Sequence, residues 1–372
     1  MTAPLLFSPI QLGPISLSNR LMISPMCQYS AIDGDMTDWH RAHLGSLALS
    51  GAGMLCVEAT AISAEGRITP GCVGLYKPSN VDAMKSVIDA IRAISPIKLA
   101  IQLGHAGRKG SSRRPWEGGA LMTPAEGGWE TVSASAVPHK PEEMAPLSLS
   151  TERIKALVTA FAEGARHARE LGFDAIEVHG AHGYLVHQFL SPLANHRTDA
   201  YGGSLENRMR FGLEVFQAVR DAAGPDLAVG IRLSATDWVE GGWDIEQCIE
   251  MSKRLQSLGA DYLDVSSAGV SPMQKIPLGP GYQVPFAERI RKEVTIPVMT
   301  VGLITEAQQA EDILTSGKAD LIAMARAIIA DPRWPWRAAA ELGGTVSGSP
   351  QYYRCLPSGF PAVFGNVQTA QR

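Results

Sequence analysis

The sequence predicts a (β/α)8 barrel, the TIM-barrel fold of the α/β class. Eight short apolar segments alternate along the chain with helical patterns or long loops. The segments contain few polar residues, which is typical of parallel strands that are buried on both faces. A doubly wound sheet is the alternative, but no predicted strand is followed by a G-x-G-x-x-G turn or a P-loop. Eight strand–helix units therefore favour the closed barrel.

The first half of the chain contains four predicted strands, at residues 21–26, 53–61, 98–104 and 174–179. Helical periodicity predicts helices at residues 39–50, 81–94 and 151–171. The third helix has the clearest limits, because Ser150 or Thr151 can cap its start and Gly172 can end it. Residues 106–148 are rich in Gly, Pro and Ser and show no long periodic segment, so we expect a functional excursion over one face.

The second half repeats the alternation, with strands predicted at residues 227–234, 261–267, 296–301 and 321–325. Helices are predicted at residues 205–223, 245–258, 285–293 and 306–316, with a further helix from about residue 327. We therefore predict one barrel domain over residues 1–342 and a C-terminal tail over residues 343–372.

Composition excludes several classes of function. Charged residues are only 19% of the chain and the net charge is −4, without long basic runs, which argues against nucleic-acid binding. No segment has the roughly 18 uninterrupted apolar residues of a membrane span, and the N-terminus lacks the features of a signal peptide. Five scattered cysteines predict free thiols in a reducing compartment, with the cytoplasm as the expected location. They are Cys27, Cys56, Cys72, Cys248 and Cys355.

The turn after the fourth predicted strand carries the strongest chemical signal. His179, His182 and Tyr184 lie within six residues, separated by Gly180 and Gly183. Two imidazole N–H groups can donate to one carbonyl or nitro oxygen, and a phenol can donate a proton to a strongly basic carbon. The alternatives are a structural histidine pair and a metal site. A zinc site would need at least one further ligand, so we expect no metal.

Polar residues at the other strand ends are further candidates, because the carboxyl end of each barrel strand faces the active site. Gly302 and Arg326 follow the last two predicted strands, each before a helix. Helix-start N–H groups and a guanidinium predict a phosphate site, with a surface cap as the alternative for Arg326. Glu58, Glu177 and Arg232 are charges inside predicted strands and could pair with one another. A flat cofactor such as FMN fits between phosphate and imidazoles, although composition alone does not select it.

Several motifs resemble those of the Old Yellow Enzyme family of flavin-dependent ene-reductases, in particular its bacterial subgroup similar to xenobiotic reductase. The resemblance extends from Asn19 to about Arg354 and is specific because many motifs occur together. The motifs are SPMCQY at 24–29, EA at 58–59, GRIT at 66–69, QLGHAGRK at 102–109, HGAHGYL at 179–185, SPLANHRTD at 191–199, YGGSLENR at 201–208 and AR at 325–326.

The resemblance implies non-covalent FMN, with NADPH as the reductant. The residues that would hold the flavin ring are Ser24, Pro25, Met26, Cys27, Ala59 and Gln102. Arg232 would lie near the flavin N1/C2 edge, where a fixed cation favours the reduced anion. Gly302, Ala325 and Arg326 would hold the phosphate. Cys27 would tune the redox potential, with a buried thiol that acts as a small hydrophobe as the alternative.

The resemblance also implies a reaction. His179 and His182 would bind the oxygen of a carbonyl, imide or nitro group, hydride from flavin N5 would attack the β-carbon, and Tyr184 would protonate the α-carbon. Tyr29 would reach the substrate oxygen. Arg354 resembles an arginine that enters a neighbouring subunit's site, which suggests a homodimer or homotetramer. The excursion at 106–148, with its two tryptophans, would cap the site.

The alternative function is not a redox function: the protein would be a flavin-free barrel lyase or isomerase with a phosphate site. A Schiff-base lyase would need a lysine at a strand end, and none is predicted there. Relatives with an iron–sulfur cluster are also disfavoured, because the chain has no cysteine cluster.

Overall fold

Eight parallel strands close into a barrel in the computed structural model, which describes residues 3–355, 363–365 and 367. The strands are β1 (Leu21–Ile23), β2 (Met54–Ala61), β3 (Lys98–Gly104), β4 (Ala175–Gly180), β5 (Ala228–Ser234), β6 (Tyr262–Ser266), β7 (Val298–Thr300) and β8 (Leu321–Met324). Consecutive strands are neighbours, and β8 pairs with β1 with Ile322 beside Leu21. The predicted barrel is confirmed, and the doubly wound alternative is wrong because no barrel strand is left as an edge.

Helices connect the strands and cover them. Within the described residues they are α1 (Asp38–Ala48), α2 (Pro78–Arg92), α3 (Thr151–Glu170), α4 (Leu185–Leu190), α5 (Leu205–Ala223), α6 (Ile245–Ser257), α7 (Val284–Arg291), α8 (Ala307–Thr315), α9 (Arg326–Ala330) and α10 (Trp334–Leu342). In α3, Ile154, Leu157 and Phe161 are buried at helical spacing. Ser150 caps this helix as expected, because its hydroxyl accepts the Arg153 N–H at 3.3 Å.

The amino-terminal end of the barrel is filled and closed by apolar side chains. A buried apolar cluster in the interior has members from all eight strands. An antiparallel hairpin of Ile10–Leu12 and Ile15–Leu17 closes this end, because Leu12 and Leu17 are fully buried in the same cluster. This hairpin is not predicted from the sequence, since strands of three residues are too short to show a periodic pattern.

Buried polar side chains occupy the next level of the interior, toward the carboxyl ends. Gln102, Glu177, Arg232 and Asp264 come from the four consecutive strands β3 to β6, and each is buried. Burying charges away from water is costly unless they are paired, so this level needs either internal partners or a polar ligand.

Four further features differ from the prediction. Strand β1 ends at Ile23 rather than Met26, so the residues before the first helix form a loop. The helix expected from about residue 327 is two helices, because Asp331 before Pro332 is extended. Helix α4 is an addition, and residues 106–148 contain two short strands, Val132–Ser133 and Leu147–Ser148, which pair in parallel.

Candidate active site

The carboxyl end of β4 brings the predicted imidazoles and phenol together. His179 lies in β4, and His182 and Tyr184 lie in the turn that leads to α4. The two imidazole centroids are 5.2 Å apart with planes at 89°, and the His179 ring is 4.8 Å from the Tyr184 ring. This spacing allows three polar tips to face one small group.

The turn itself is anchored by contacts with other elements. His182 has a left-handed backbone with φ of 60°, and its N–H donates to Ser234 Oγ at 2.9 Å. Gly183 follows with φ of 71°, and a Cβ at this position would lie 2.1 Å from the Gly269 oxygen, so only glycine fits. The Gly183 N–H donates to His187 Nδ1 at 2.8 Å, and His187 Nε2 lies 2.9 Å from Asp237 Oδ1 in the buried interior.

Two cations that follow β3 make contacts with the turn, the loop after β6 and the excursion. Lys109 Nζ donates to the carbonyl oxygens of His182 at 2.8 Å and Gly269 at 2.9 Å. The Arg108 guanidinium donates to the oxygens of Val270 at 2.6 Å and Val137 at 3.0 Å. The loops after β4 and β6 are thereby tied to the excursion. These contacts are not predictable from the sequence, where their only signal is a basic pair in the loop after β3.

The protonation states at the turn follow from burial. Burial, and then the charge of Arg232, hold the pKa values of His179 and His182 well below the ordinary value, so both imidazoles are neutral at neutral pH. Burial raises the pKa of Tyr184 well above its ordinary value, so the phenol keeps its proton. A neutral imidazole offers one N–H donor, and a protonated phenol offers one O–H donor.

The loop after β1 forms a second wall. Tyr29, with φ of 52°, packs edge-to-face on Trp116 of the excursion at 5.9 Å between centroids. The Arg114 guanidinium donates to the backbone carbonyl oxygen of Tyr29 at 2.9 Å and fixes the excursion to this loop. The Trp129 indole N–H instead donates to the backbone carbonyl oxygen of Glu65 at 3.0 Å.

A thiol pair lies in the same wall. A hydrogen bond with the Cys72 thiol, together with burial, raises the pKa of Cys27 well above its ordinary value, so Cys27 stays a neutral thiol. Cys72, His179 and Tyr184 line one small recess together with Ala59, which places Ala59 beside the imidazoles. The contact between Cys27 and Cys72 has no signal in the sequence, because the two residues are far apart in the chain.

The buried polar level of the barrel suits a ligand with polar edges. Gln102 Nε2 donates to Glu177 Oε1 at 2.8 Å, which leaves the Gln102 carbonyl oxygen available to accept from a ring N–H. Arg232 Nε lies 3.1 Å from Asp264 Oδ2 and does not pair with Glu177. Buried oxygens without a hydrogen-bond partner in the described part of the chain include those of Ser24 and Thr300 and Glu177 Oε2. Each unsatisfied group costs about 1–3 kcal/mol, so a polar ligand would offset that cost.

A cleft of ≈ 170 Å³ lies between the ends of β7 and β8. Residues predicted to bind cofactor that line it are Arg232, Gly302, Ala325 and Arg326. Gly302 has φ of 126°, and the Arg326 side chain is exposed at the start of α9. Glycine backbone and a guanidinium beside a helix start provide donors for a phosphate. These residues therefore fit the phosphate end of a flavin mononucleotide, and the polar level below fits its ring.

The remaining predicted residues have other surroundings. Arg354 is exposed in the tail, shortly after the 3-10 helix Pro350–Tyr352. Glu58 Oε1 lies 3.4 Å from His40 Nε2, and Glu58 Oε2 accepts the Gln28 N–H at 3.0 Å, so this carboxylate supports the β1 loop. Among residues 3–355, 363–365 and 367, no group of three or more metal-ligating side chains is assembled. In the same residues, no helix has the length and apolar character needed to cross a membrane.

Comparison with protein families and curated relatives gives one consistent result. Residues 5–343 match the model of the NADH:flavin oxidoreductase / NADH oxidase family. An NADPH dehydrogenase of Geobacillus sp. (strain WCH70) is 42% identical over 352 residues, which cover 94% of this chain and 98% of that protein.

Solved structures give the same result. Morphinone reductase is 30% identical with a TM-score of 0.76, and the match covers 96% of each chain. A 2-naphthoyl-CoA reductase is 28% identical with a TM-score of 0.81, and the match covers 90% of this chain. This chain spans about half of that reductase, because the match covers 52% of its length.

Proposed function

Because this chain belongs to the NADH:flavin oxidoreductase / NADH oxidase family, the Old Yellow Enzyme family, we propose that it is an NADPH-dependent ene-reductase. Its substrates would be alkenes activated by a carbonyl, imide or nitro group. FMN is the cofactor of the family, and relatives of this chain are NADPH dehydrogenases, so the protein is a flavin-dependent oxidoreductase. The alternative of a flavin-free lyase or isomerase finds no support in these relatives.

The observation that carries the proposal is the cluster of two neutral imidazoles and a protonated phenol at the end of β4. We expect the activating oxygen to accept hydrogen bonds from His179 and His182. These bonds draw electron density away from the double bond and stabilise the negative charge that develops on the oxygen. We call this pair the imidazole clamp.

The residues that would hold FMN are those whose polar groups lack partners or line the cleft. Gln102, Arg232 and the β1 loop from Ser24 to Cys27 would surround the ring, and Ala59 would contact it. Gly302, Ala325 and Arg326 would bind the phosphate. Bound FMN, once reduced by NADPH, would supply the hydride for the β-carbon. Cys27, as a neutral thiol beside the ring, would adjust the potential by its dipole rather than by a charge.

Tyr184 would complete the reaction as the proton donor. Its raised pKa keeps the proton on the phenol at all ordinary pH values, and its ring is in contact with His179 of the clamp. A carbon that becomes strongly basic after hydride addition can take this proton. Tyr29 would contribute a further hydrogen bond to the substrate oxygen.

Three further assignments are part of the proposal. The excursion at 106–148 would act as the cap, since Trp116 packs on Tyr29 and Arg114 binds its backbone. Arg354 would enter the site of a neighbouring subunit in a homodimer or homotetramer, which agrees with its exposure in one chain. The scattered free cysteines favour a cytoplasmic enzyme.

The decisive experiment is the visible absorption spectrum of the purified protein, before and after anaerobic NADPH and then 2-cyclohexenone. We expect flavin bands that bleach with NADPH and return with the enone, while cyclohexene, which has no activating group, leaves them bleached. If the bands bleach with NADPH but no activated alkene restores them, the ene-reductase proposal is refuted. A colourless protein that takes up no added FMN would remove the cofactor roles of Gln102, Arg232 and Arg326.

A further inference from the structure

The imidazole clamp works only if both histidines present an N–H to the same oxygen. Each neutral imidazole carries a single hydrogen, on either Nδ1 or Nε2, and the other nitrogen can only accept. The tautomer of His179 is determined within its own turn, because the Ala181 N–H donates to His179 Nδ1 at 3.3 Å. The hydrogen of His179 is therefore on Nε2, which is free to donate.

The tautomer of His182 depends on one neighbour. His182 Nε2 lies 2.7 Å from Ser266 Oγ, at the carboxyl end of β6. If Ser266 accepts from Nε2–H, then His182 Nδ1 is a bare acceptor and repels a substrate oxygen. If Ser266 donates to Nε2, then the hydrogen is on Nδ1 and the clamp has its second donor.

A hydrogen-bond chain beside Ser266 has a fixed direction. The Trp238 indole N–H can only donate, and it donates to Ser267 Oγ at 3.0 Å. The Ser267 hydroxyl in turn donates to Gln283 Oε1 at 2.6 Å. Gln283 Nε2 donates to the Val301 oxygen at 2.8 Å, which determines that its oxygen faces the two serines. Gln283 Oε1 therefore already has a donor at short distance.

Ser266 has one hydrogen and two possible acceptors. Gln283 Oε1 is 3.3 Å away, whereas His182 Nε2 is 2.7 Å away. An O–H···O hydrogen bond is about 2.5–3.0 Å long, so the Gln283 contact is too long for a strong bond and the His182 contact is favoured. Ser266 is also buried, so no bulk water competes for its hydrogen.

We propose that Ser266 is a positioning residue that donates its hydroxyl hydrogen to His182 Nε2 and thereby holds His182 in the Nδ1–H tautomer. The assignment rests on the proposed clamp and extends it to a residue that lines the same cleft as Arg232 and Gly302. Ser266 acts through His182, in the way that outer groups fix the tautomer of histidines in other sites.

The test is the tautomer itself, read from side-chain ¹⁵N shifts of histidine-labelled holoenzyme. We expect Nδ1–H at His182 in the native protein and loss of this tautomer in Ser266→Ala. Ser266→Thr keeps a hydroxyl and should restore it. The matched control is Ser252→Ala, which removes another buried hydroxyl, one that donates to the Cys248 oxygen at 2.8 Å inside α6. It should leave the His182 signals unchanged.

A parallel measurement is the dissociation constant of 2-cyclohexenone, from the perturbation of the flavin spectrum. Loss of one donor should weaken binding about tenfold in Ser266→Ala, which corresponds to about 1.4 kcal/mol, and less in Ser266→Thr. An Nε2–H tautomer in the native protein, or a tautomer that Ser266→Ala does not change, would overturn the inference.

The two proposals fail in different ways. If His179→Ala weakens enone binding but Ser266→Ala leaves the His182 tautomer unchanged, the clamp stands and the role of Ser266 is wrong. If Ser266→Ala changes the tautomer while His179→Ala and His182→Ala leave enone binding intact, the role of Ser266 stands and the clamp is wrong.

Discussion

His182 and Tyr29 hold their side chains with a backbone that is unfavourable for residues with a Cβ. Their φ angles are 60° and 52°, in the left-handed region, which costs about 1–2 kcal/mol per residue. Such strain persists only where neighbouring contacts impose it, and it is frequent at active sites. At His182 the contacts are those of Lys109 and Ser234. This backbone strain is consistent with a side chain whose orientation matters more than its burial.

At the same scale, Tyr184→Phe tests the proton donor. The variant removes one hydroxyl from a ring whose packing on His179 is retained. We expect turnover of 2-cyclohexenone to fall by about 10²-fold or more, because general acids contribute about this factor, while reduction of the flavin by NADPH stays near the native rate. Stopped-flow absorbance separates the two half-reactions. Tyr352→Phe, on the tail against Trp336, is the control. An equal fall in both half-reactions would contradict the role.

At the scale of elements, the turn between β4 and α4 is shaped mainly by groups outside it. Lys109 follows β3, Ser234 ends β5, and Asp237 follows β5, yet all three fix the turn directly or through His187. The turn is therefore a meeting point of several loops, and its geometry depends on the closed barrel.

This arrangement predicts the effect of Lys109→Met. The substitution keeps the apolar stem but leaves the oxygens of His182 and Gly269 without their donor. We expect a melting temperature lower by several degrees and weaker binding of 2-cyclohexenone, because the clamp loses its support. Arg113→Met removes an exposed cation paired with Glu126 and should change neither quantity much. Native enone affinity in Lys109→Met would show that the turn holds its shape without this lysine.

The elements that the sequence predicts are those whose pattern is local. The eight strands are recognisable because both of their faces are buried, and His179, His182 and Tyr184 are recognisable because they share one turn. Lys109 and Cys72 are not recognised as site residues, because their partners lie in other loops. Ser266 is a candidate only as a polar residue at a strand end, because its partner His182 follows another strand. The N-terminal hairpin and α4 are too short to show a period, so tertiary packing decides them.

At the scale of the whole molecule, the barrel interior has more acid than base. Asp264 pairs with the one cation of this level, Arg232, whereas Glu177 is buried without a cation partner among the described residues. Burial, and then the charge of Asp264, raise the pKa of Glu177 to about 8, although Arg232 opposes the shift. Glu177 therefore keeps its proton at neutral pH, and the interior avoids an unpaired buried charge.

This protonation links stability to pH. The pKa of Glu177 in the folded state is raised from its ordinary value of about 4.5, so between about pH 4.5 and about pH 8 the folded state binds more protons than the unfolded state. The free energy of unfolding therefore falls as pH rises through this window. Glu177→Gln should remove this loss, so its melting temperature should rise relative to the native protein as pH rises. Parallel curves from about pH 5 to about pH 8 would contradict it, and Glu163→Gln, at an exposed position of α3, is the control.

The hairpin closes the amino-terminal end of the barrel, so ligands can reach the interior only from the carboxyl end. Nicotinamide and alkene would both have to enter from the carboxyl end, so one could not be bound while the other reacts. Each catalytic cycle would then need two successive binding events, in which the oxidised nicotinamide leaves before the alkene binds. A substitution at Trp116 that enlarges the entrance for a bulkier alkene would therefore also change how the reductant enters.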